Sequence, residues 1–207
     1  MSVARRERAA LVETFRAVGP DAPTLCEGWK TRDLAAHLVV REYRLDASPG
    51  IVVPALAGYT ARVQQQVTDA TNWPELLAKF AAGPPLYSPL KVLDPVANVA
   101  ELFVHHEDVR RAVPGWEPRA LDAETTAAVR RPISVLGRVA LKRVPVRLTL
   151  RTPDGADVVT AGHGPEVVLT GEPGELLLFA FGRNEFRADF SGDDAAVAAV
   201  KAAPRGI

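Results

Sequence analysis

At 207 residues, with 47% hydrophobic and 24% charged residues, the chain has the composition of a globular protein that can bury a substantial core. Basic and acidic residues balance at 25 each, so no overall positive charge favours binding to nucleic acid or to an anionic membrane. A single cysteine excludes an intramolecular disulfide, and we find neither a secretory leader nor an apolar run long enough to span a bilayer. These features predict a cytoplasmic protein.

The first part of the chain has the periodicity of amphipathic helices, interrupted at proline and glycine. The pattern predicts helices over residues 5–18, Thr31 to about Tyr43, roughly 53–67, and from Trp73 to a stop at Gly83. A fifth helix is predicted to begin near Asp94-Pro95 and to end by Pro114-Gly115. Helices joined by short loops are typical of a small up-and-down bundle.

The pattern changes from Val144 onwards. Alternating residues predict strands over 146–151, 157–160, 166–170 and 186–190, with helices over 173–181 and 193–203. A helix over about 122–138 precedes them. We therefore predict an α+β protein with a helical bundle in residues 1–143 and a small α+β domain in residues 144–207.

The fifth helix carries a chemical pattern. Glu101, His105 and Asp108 fall on one line at i, i+4 and i+7, beside the apolar stripe of the helix. An unpaired buried carboxylate costs several kcal/mol, and a divalent metal would compensate it. His37 on the second helix is the candidate third ligand. The set then has two histidines, one carboxylate and open positions, as in catalytic zinc sites, and Asp108 is a candidate to orient a ligand.

Each of these residues also has a purely structural interpretation. His37 alone is more often a core histidine, and Glu101 alone is more often a salt-bridge partner, so only the joint pattern favours a metal. His106 is turned about 100° from His105 around the helix, which places it outside the ligand set. Turn or packing roles are the simpler interpretation of His163, Cys26, Trp29 and Trp116.

Three segments together resemble the mycothiol-dependent maleylpyruvate isomerase family, which belongs to the DinB-like superfamily. They are Leu25-Cys-Glu-Gly-Trp29, Asp33-Leu-Ala-Ala-His-Leu38 and Glu101-Leu-Phe-Val-His-His-Glu-Asp108. The resemblance covers the whole bundle, and residues 175–183 resemble the family's sterol-carrier-like C-terminal domain. In place of Glu107 the family often has an aromatic residue.

The resemblance implies an up-and-down four-helix bundle that holds a divalent metal, usually zinc. Its ligands fall on His37, Glu101 and His105, with water completing the shell. It also implies a catalytic arginine from the C-terminal domain, for which Arg183 is the best match.

A thiol is a weak nucleophile near neutral pH because its pKa is about 8.5, and zinc coordination deprotonates it. We therefore predict a metal-dependent enzyme that uses mycothiol or a similar small thiol for isomerisation or S-transfer on a small electrophilic substrate. Two alternatives stay open. One is a metal-binding or regulatory module without catalysis, and the other is a hydrolase that uses a bound water.

Overall fold

The fold is that of a computed structural model, which describes residues 1–51, 53–88 and 95–206, with the backbone alone at 95–97. The chain forms two compact units, Met1–Trp116 and Glu117–Ile207. In the described ranges, every helix is too short or too polar to cross a membrane.

The first unit is helical. Its elements are α1 (Val3–Val18), α2 (Thr31–Tyr43), α3 (Ala57–Ala70), α4 (Trp73–Ala82) and α5 (Pro95–Arg110). Helix α1 packs against α4 and α5, and α2 packs against α3 and α4. The predicted start of the fifth helix at Asp94 lies outside the described residues. Helix α3 begins at Ala57, later than predicted, because Pro54–Leu56 forms a 3-10 turn.

One apolar core joins four of these helices. Its fully buried side chains come from α1, α2, α4 and α5 and include Leu11, Phe15, Leu34, Leu38, Leu76, Phe80 and Leu102. The ring of Phe15 makes edge contacts with Trp73 and Phe80, at centroid distances of 5.8 and 6.1 Å. Because α2 and α5 share this core, their polar residues are held in fixed positions relative to each other.

A buried ion pair adds a second link between the helices. Arg8 of α1 donates hydrogen bonds to both carboxylate oxygens of Glu42 at the end of α2. It also donates to the carbonyl oxygen of Phe80 in α4, at 2.9 Å. The two side chains are 10% and 2% exposed, so the pair ties three helices together inside the unit.

The second unit combines helices with a four-stranded sheet. Its elements are α6 (Ala123–Ala140), β1 (Arg147–Arg151), β2 (Asp157–Ala161), β3 (Glu166–Thr170), α7 (Pro173–Ala180), β4 (Asp189–Gly192) and α8 (Asp194–Ala202). The strand order is β2-β1-β3-β4, with β1 and β3 parallel and the outer pairs antiparallel. The molecule therefore has the predicted α+β class, a helical bundle followed by a small α+β unit.

Helix α6 lies in the second unit, whereas the sequence places the boundary between residues 143 and 144. The buried face of α6, which includes Val129 and Ile133, packs against α7 and β2. A Cβ at Gly137 would lie 3.0 Å from Val159 of β2, so helix and strand approach closely there. The boundary predicted from the sequence lies where the pattern changes from helix to strand. The boundary between the two compact units lies earlier, before α6, because α6 packs on the sheet.

The last strand is also shifted from its predicted position at residues 186–190. Phe186 instead lies in an aromatic cluster, 5.3 Å from Phe179 of α7 and 6.4 Å from Phe190. The backbone N–H of Arg187 donates to Glu175 Oε2 at 2.7 Å, so this segment pairs with a side chain before β4 begins.

Candidate metal centre

Helices α2 and α5 bring His37, Glu101 and His105 together. Oε1 of Glu101 lies 3.4 Å from Nε2 of His37 and 3.3 Å from Nε2 of His105. The two imidazole rings meet edge to face at a centroid distance of 5.4 Å. The side chains of His37 and His105 are 10% and 11% exposed, and that of Glu101 is 22% exposed, so the carboxylate is the most exposed of the three groups.

These separations fit a common metal ion. Ligands about 2.0–2.1 Å from a tetrahedral zinc ion stand about 3.3–3.4 Å from one another. A charge-assisted hydrogen bond between the same atoms would be about 2.7–2.9 Å long. One ligand atom from each of the three residues lies within 4.8 Å of the others. The donor set and its spacing therefore suit a divalent metal such as zinc.

The charges of this group favour an ionised carboxylate. Burial alone would raise the pKa of Glu101, but hydrogen bonds from His105 and His37 and the charge of Arg41 outweigh it and hold that pKa well below its ordinary value. Burial likewise opposes the charge on His105, yet the hydrogen bond to Asp108 and the contacts with Cys26 and Glu101 raise its pKa well above the usual range. In the absence of metal, a proton on His105 thus balances Glu101.

Asp108 fixes the orientation of His105. Nδ1 of His105 donates to Asp108 Oδ2 at 2.8 Å, and the carboxylate is fully buried. With Nδ1 held as a donor, Nε2 is the ring nitrogen that faces Glu101 and His37. Such carboxylate–histidine pairs orient metal-binding imidazoles in many proteins. Asp108, which the sequence marks as a candidate to orient a ligand, therefore contacts the ring of His105 at the nitrogen that does not face Glu101.

Cys26 contacts the same carboxylate. Its thiol donates to Asp108 Oδ2 at 3.2 Å, and its Sγ lies 3.9 Å from His105 Nδ1. Cys26, His105 and Asp108 form a second group of potential metal ligands among the described residues. The 2.8 Å separation of Nδ1 and Oδ2 is a hydrogen-bond distance, shorter than the edge of a zinc tetrahedron. We therefore assign this second group to hydrogen bonding around His105.

The loop before α2 holds Cys26 and Trp29 at this position. Thr24 Oγ1 donates to the carbonyl oxygen of Trp29 at 2.9 Å, and Trp29 N–H donates to the carbonyl oxygen of Cys26 at 2.9 Å. The backbone N–H of Leu25 donates to the carbonyl oxygen of Asp108 at 3.0 Å. The Trp29 ring consequently lies against the ring of His37, at a centroid distance of 5.1 Å, and shields one face of it.

Arg41 and Asn98 also lie at the centre, although sequence reasoning did not identify them. Nη1 of Arg41 donates to Asn98 Oδ1 at 2.9 Å, and Nε lies 3.5 Å from Glu101 Oε1. The sequence signal that could have found them is helical spacing. Arg41 follows His37 by four residues and Asn98 precedes Glu101 by three, so each lies on the same helix face as a predicted ligand.

The other histidine of the pair on α5 faces away from this group. Nδ1 of His106 contacts Glu7 Oε1 at 2.7 Å, and Nε2 contacts Thr14 Oγ1 at 2.8 Å. Both partners belong to α1, so His106 links α5 to α1. In the second unit His163 is exposed in the loop between β2 and β3, and Arg183 donates from Nη1 to the carbonyl oxygen of Phe181 at 2.7 Å.

The chain thus consists of a helical bundle followed by a small α+β unit. No protein-family model matches the chain, and no curated protein matches it by sequence.

Among solved structures the chain is similar to the crystal structure of the mycothiol-dependent maleylpyruvate isomerase, with a TM-score of 0.60 and 16% identity. A histidine-to-alanine mutant of the same isomerase gives a TM-score of 0.54 and 13% identity. Each comparison covers 91% of this chain and 90% of the other. The chain thus has the fold that its sequence resemblance predicts, along nearly its whole length.

Proposed function

We propose that the protein is a metal-dependent enzyme that uses a small thiol, such as mycothiol, for isomerisation or S-transfer on a small electrophilic substrate. The observation that carries this proposal is the convergence of His37, Glu101 and His105 at the spacing of tetrahedral ligands. The likeness in fold to a protein described as a mycothiol-dependent isomerase supports it. A cytoplasmic location, where small thiols are kept reduced, is part of the proposal.

His37, Glu101 and His105 would hold the ion, which we propose to be zinc. A bound zinc ion lowers the pKa of a thiol and polarises a neighbouring carbonyl group. Two neutral imidazoles and one carboxylate would leave a net positive charge on a divalent ion, and a set of three protein ligands would leave room for a sulfur ligand. Asp108 contributes by keeping Nδ1 of His105 protonated, so that Nε2 presents its lone pair.

The two reaction types differ in the fate of the carbon–sulfur bond. In an isomerisation the thiol adds to a carbon–carbon double bond, rotation follows about the resulting single bond, and the thiol leaves unchanged. In an S-transfer the carbon–sulfur bond persists in the product. We propose Arg183 as a further catalytic residue that binds the electrophile, on the basis of the family resemblance.

Metal analysis tests the site directly. Purified wild-type protein is compared with His37→Ala and with His163→Ala, a matched change at an exposed histidine. We expect one zinc per chain in the wild type and in His163→Ala, and a loss of most of it in His37→Ala. Equal metal content in all three proteins would rule out His37 as a ligand.

A screen for turnover separates the functions. The zinc-loaded protein is incubated with small thiols and unsaturated carbonyl compounds, and products are identified by mass spectrometry. Turnover that requires a thiol supports the proposal, and Arg183→Lys should then reduce it. Turnover without thiol would indicate a hydrolase, and stoichiometric metal without turnover would indicate a binding or regulatory module.

A further inference from the structure

Arg41 is a charged residue at the candidate metal centre to which the proposed chemistry gives no role. It lies one helical turn after His37 on α2, so both side chains leave the helix on the same face. The Arg41 side chain is only 12% exposed. A buried guanidinium requires a counter-charge, and Glu101 is the carboxylate within 4 Å of it in the described part of the chain.

Among the residues that the structure describes, the hydrogen bonds of Arg41 leave part of its donor capacity unused. A guanidinium carries five N–H donors in a planar fork. Arg41 gives one of them to Asn98 Oδ1, and its 3.5 Å approach to Glu101 Oε1 is too long for a good charge-assisted hydrogen bond. The adjacent Glu42 does not compete for it, because Glu42 is hydrogen-bonded to Arg8. The remaining donors match the two oxygens of a carboxylate.

Metal binding would change the charge balance around Arg41. Glu101 and the buried Asp108 behind His105 supply two negative charges, whereas a divalent ion and Arg41 together would supply three positive charges. The two neutral imidazoles add none. A partly buried site with an excess of one positive charge attracts an anion, and the adjacent guanidinium selects one with planar oxygens.

We infer that Arg41 binds a carboxylate group of the small molecule that reacts at the metal centre, and that metal binding switches Arg41 to this role by engaging Glu101. This inference rests on the proposed function and names a determinant of its substrate class. Arg41 therefore serves two partners in turn. It balances Glu101 in the metal-free protein and receives a carboxylate in the metal-bound protein.

Two affinities that change in opposite directions test the inference without turnover. The full-length chain is loaded with Co²⁺, whose visible spectrum reports on bound groups, and is titrated with propionate and with the neutral analogue propionamide. The variants are Arg41→Met, Arg41→Lys and the matched control Arg62→Met, which removes an exposed arginine of α3. Far-UV circular dichroism verifies the fold of each.

We expect Arg41→Met to weaken propionate binding by roughly 10- to 100-fold, as for the loss of a charge-assisted pair. We also expect it to bind Co²⁺ more tightly than wild type, because a positive charge that competes for Glu101 is removed. The propionate and Co²⁺ affinities of Arg41→Lys should lie between those of wild type and Arg41→Met, and both affinities of Arg62→Met should match those of wild type. A merely structural role would lower both affinities together.

The source of the carboxylate is distinguished by adding thiols. If propionate still binds when 2-mercaptoethanol saturates the cobalt, the carboxylate belongs to the electrophile. The carboxylate belongs to the thiol if two other results are found. Wild-type protein, but not Arg41→Met, should then bind 3-mercaptopropionate more tightly than 2-mercaptoethanol, and 3-mercaptopropionate should displace propionate.

Equal propionate affinity in Arg41→Met and Arg62→Met would overturn the inference while leaving the thiol proposal intact. Cobalt-loaded protein that binds propionate through Arg41 but gives no sulfur-to-cobalt absorption with thiols would contradict the proposed function instead. A chain that binds no Co²⁺ would overturn both.

Discussion

Replacing Asp108 by asparagine tests whether the buried carboxylate tunes the metal centre through His105. The change keeps the size of the side chain and removes its charge. Asp108 Oδ2 accepts the His105 Nδ1 hydrogen bond at 2.8 Å in a fully buried position. Loss of such a partner behind a metal-binding histidine typically weakens metal affinity by about 10- to 100-fold, or about 1.4 to 2.8 kcal/mol at 1.4 kcal/mol per factor of ten.

Competition with a chromogenic zinc chelator at pH 7.5 measures this change. Asp69→Asn is the control, because Asp69 is an exposed carboxylate on α3 that hydrogen-bonds with Gln65. Circular dichroism and the thermal midpoint establish that both variants are folded. If folded Asp108→Asn binds zinc within a factor of two of wild type, the carboxylate does not orient the ligand and the reasoning fails.

Three further predictions concern the proton balance and the buried ion pair. In the metal-free protein the pKa of Glu101 is lowered by folding, so its ionised form contributes its full stabilisation above about pH 4.5 and loses it as the pH falls further. The pKa of His105 is raised by folding, so its protonated form contributes its full stabilisation below about pH 6.5 and loses it as the pH rises further. The thermal midpoint of the chelator-treated protein should therefore exceed that of Glu101→Gln most between these values, and a constant difference up to pH 9 would contradict this. Because metal must displace the proton from His105, zinc addition at pH 7 should release protons, detected by calorimetry in buffers of different ionisation enthalpy, and the zinc affinity should fall from pH 7 to pH 6. Arg8→Met should lower the urea-derived free energy of unfolding by about 3–5 kcal/mol because it leaves Glu42 buried without its partner, and Arg8→Met combined with Glu42→Leu should recover most of that loss.

The arrangement within α5 could be predicted because it depends only on helical geometry. Glu101 and His105 are four residues apart, so any helix through them places both side chains on one face. The same geometry turns His106 away by about 100°. Bringing His37 to this face depends on packing between helices. The sequence offered His37 as the candidate third ligand on its helical pattern, and the motif resemblance implied the same residue.

Other features depended on tertiary contacts that the local pattern does not encode. Cys26 contacts Asp108 because the loop before α2 is hydrogen-bonded to the end of α5. Helical periodicity carries no information about the position of such a loop. Arg41 has the same sequence signature as a solvent-exposed helix residue. Helix α6 is amphipathic wherever it packs, so its assignment to the sheet unit depended on contacts with β2 and α7.

The link from His106 to α1 has a consequence for the metal binding that we propose. Glu7 and Thr14, both on α1, contact opposite nitrogens of the His106 ring. These contacts oppose rotation of α5 about its long axis. Glu101 and His105, on a neighbouring face of the same helix, would therefore keep their orientation when a bound cation leaves. Loading and unloading should then proceed as local side-chain adjustments, at rates set by dehydration of the ion, without a refolding step.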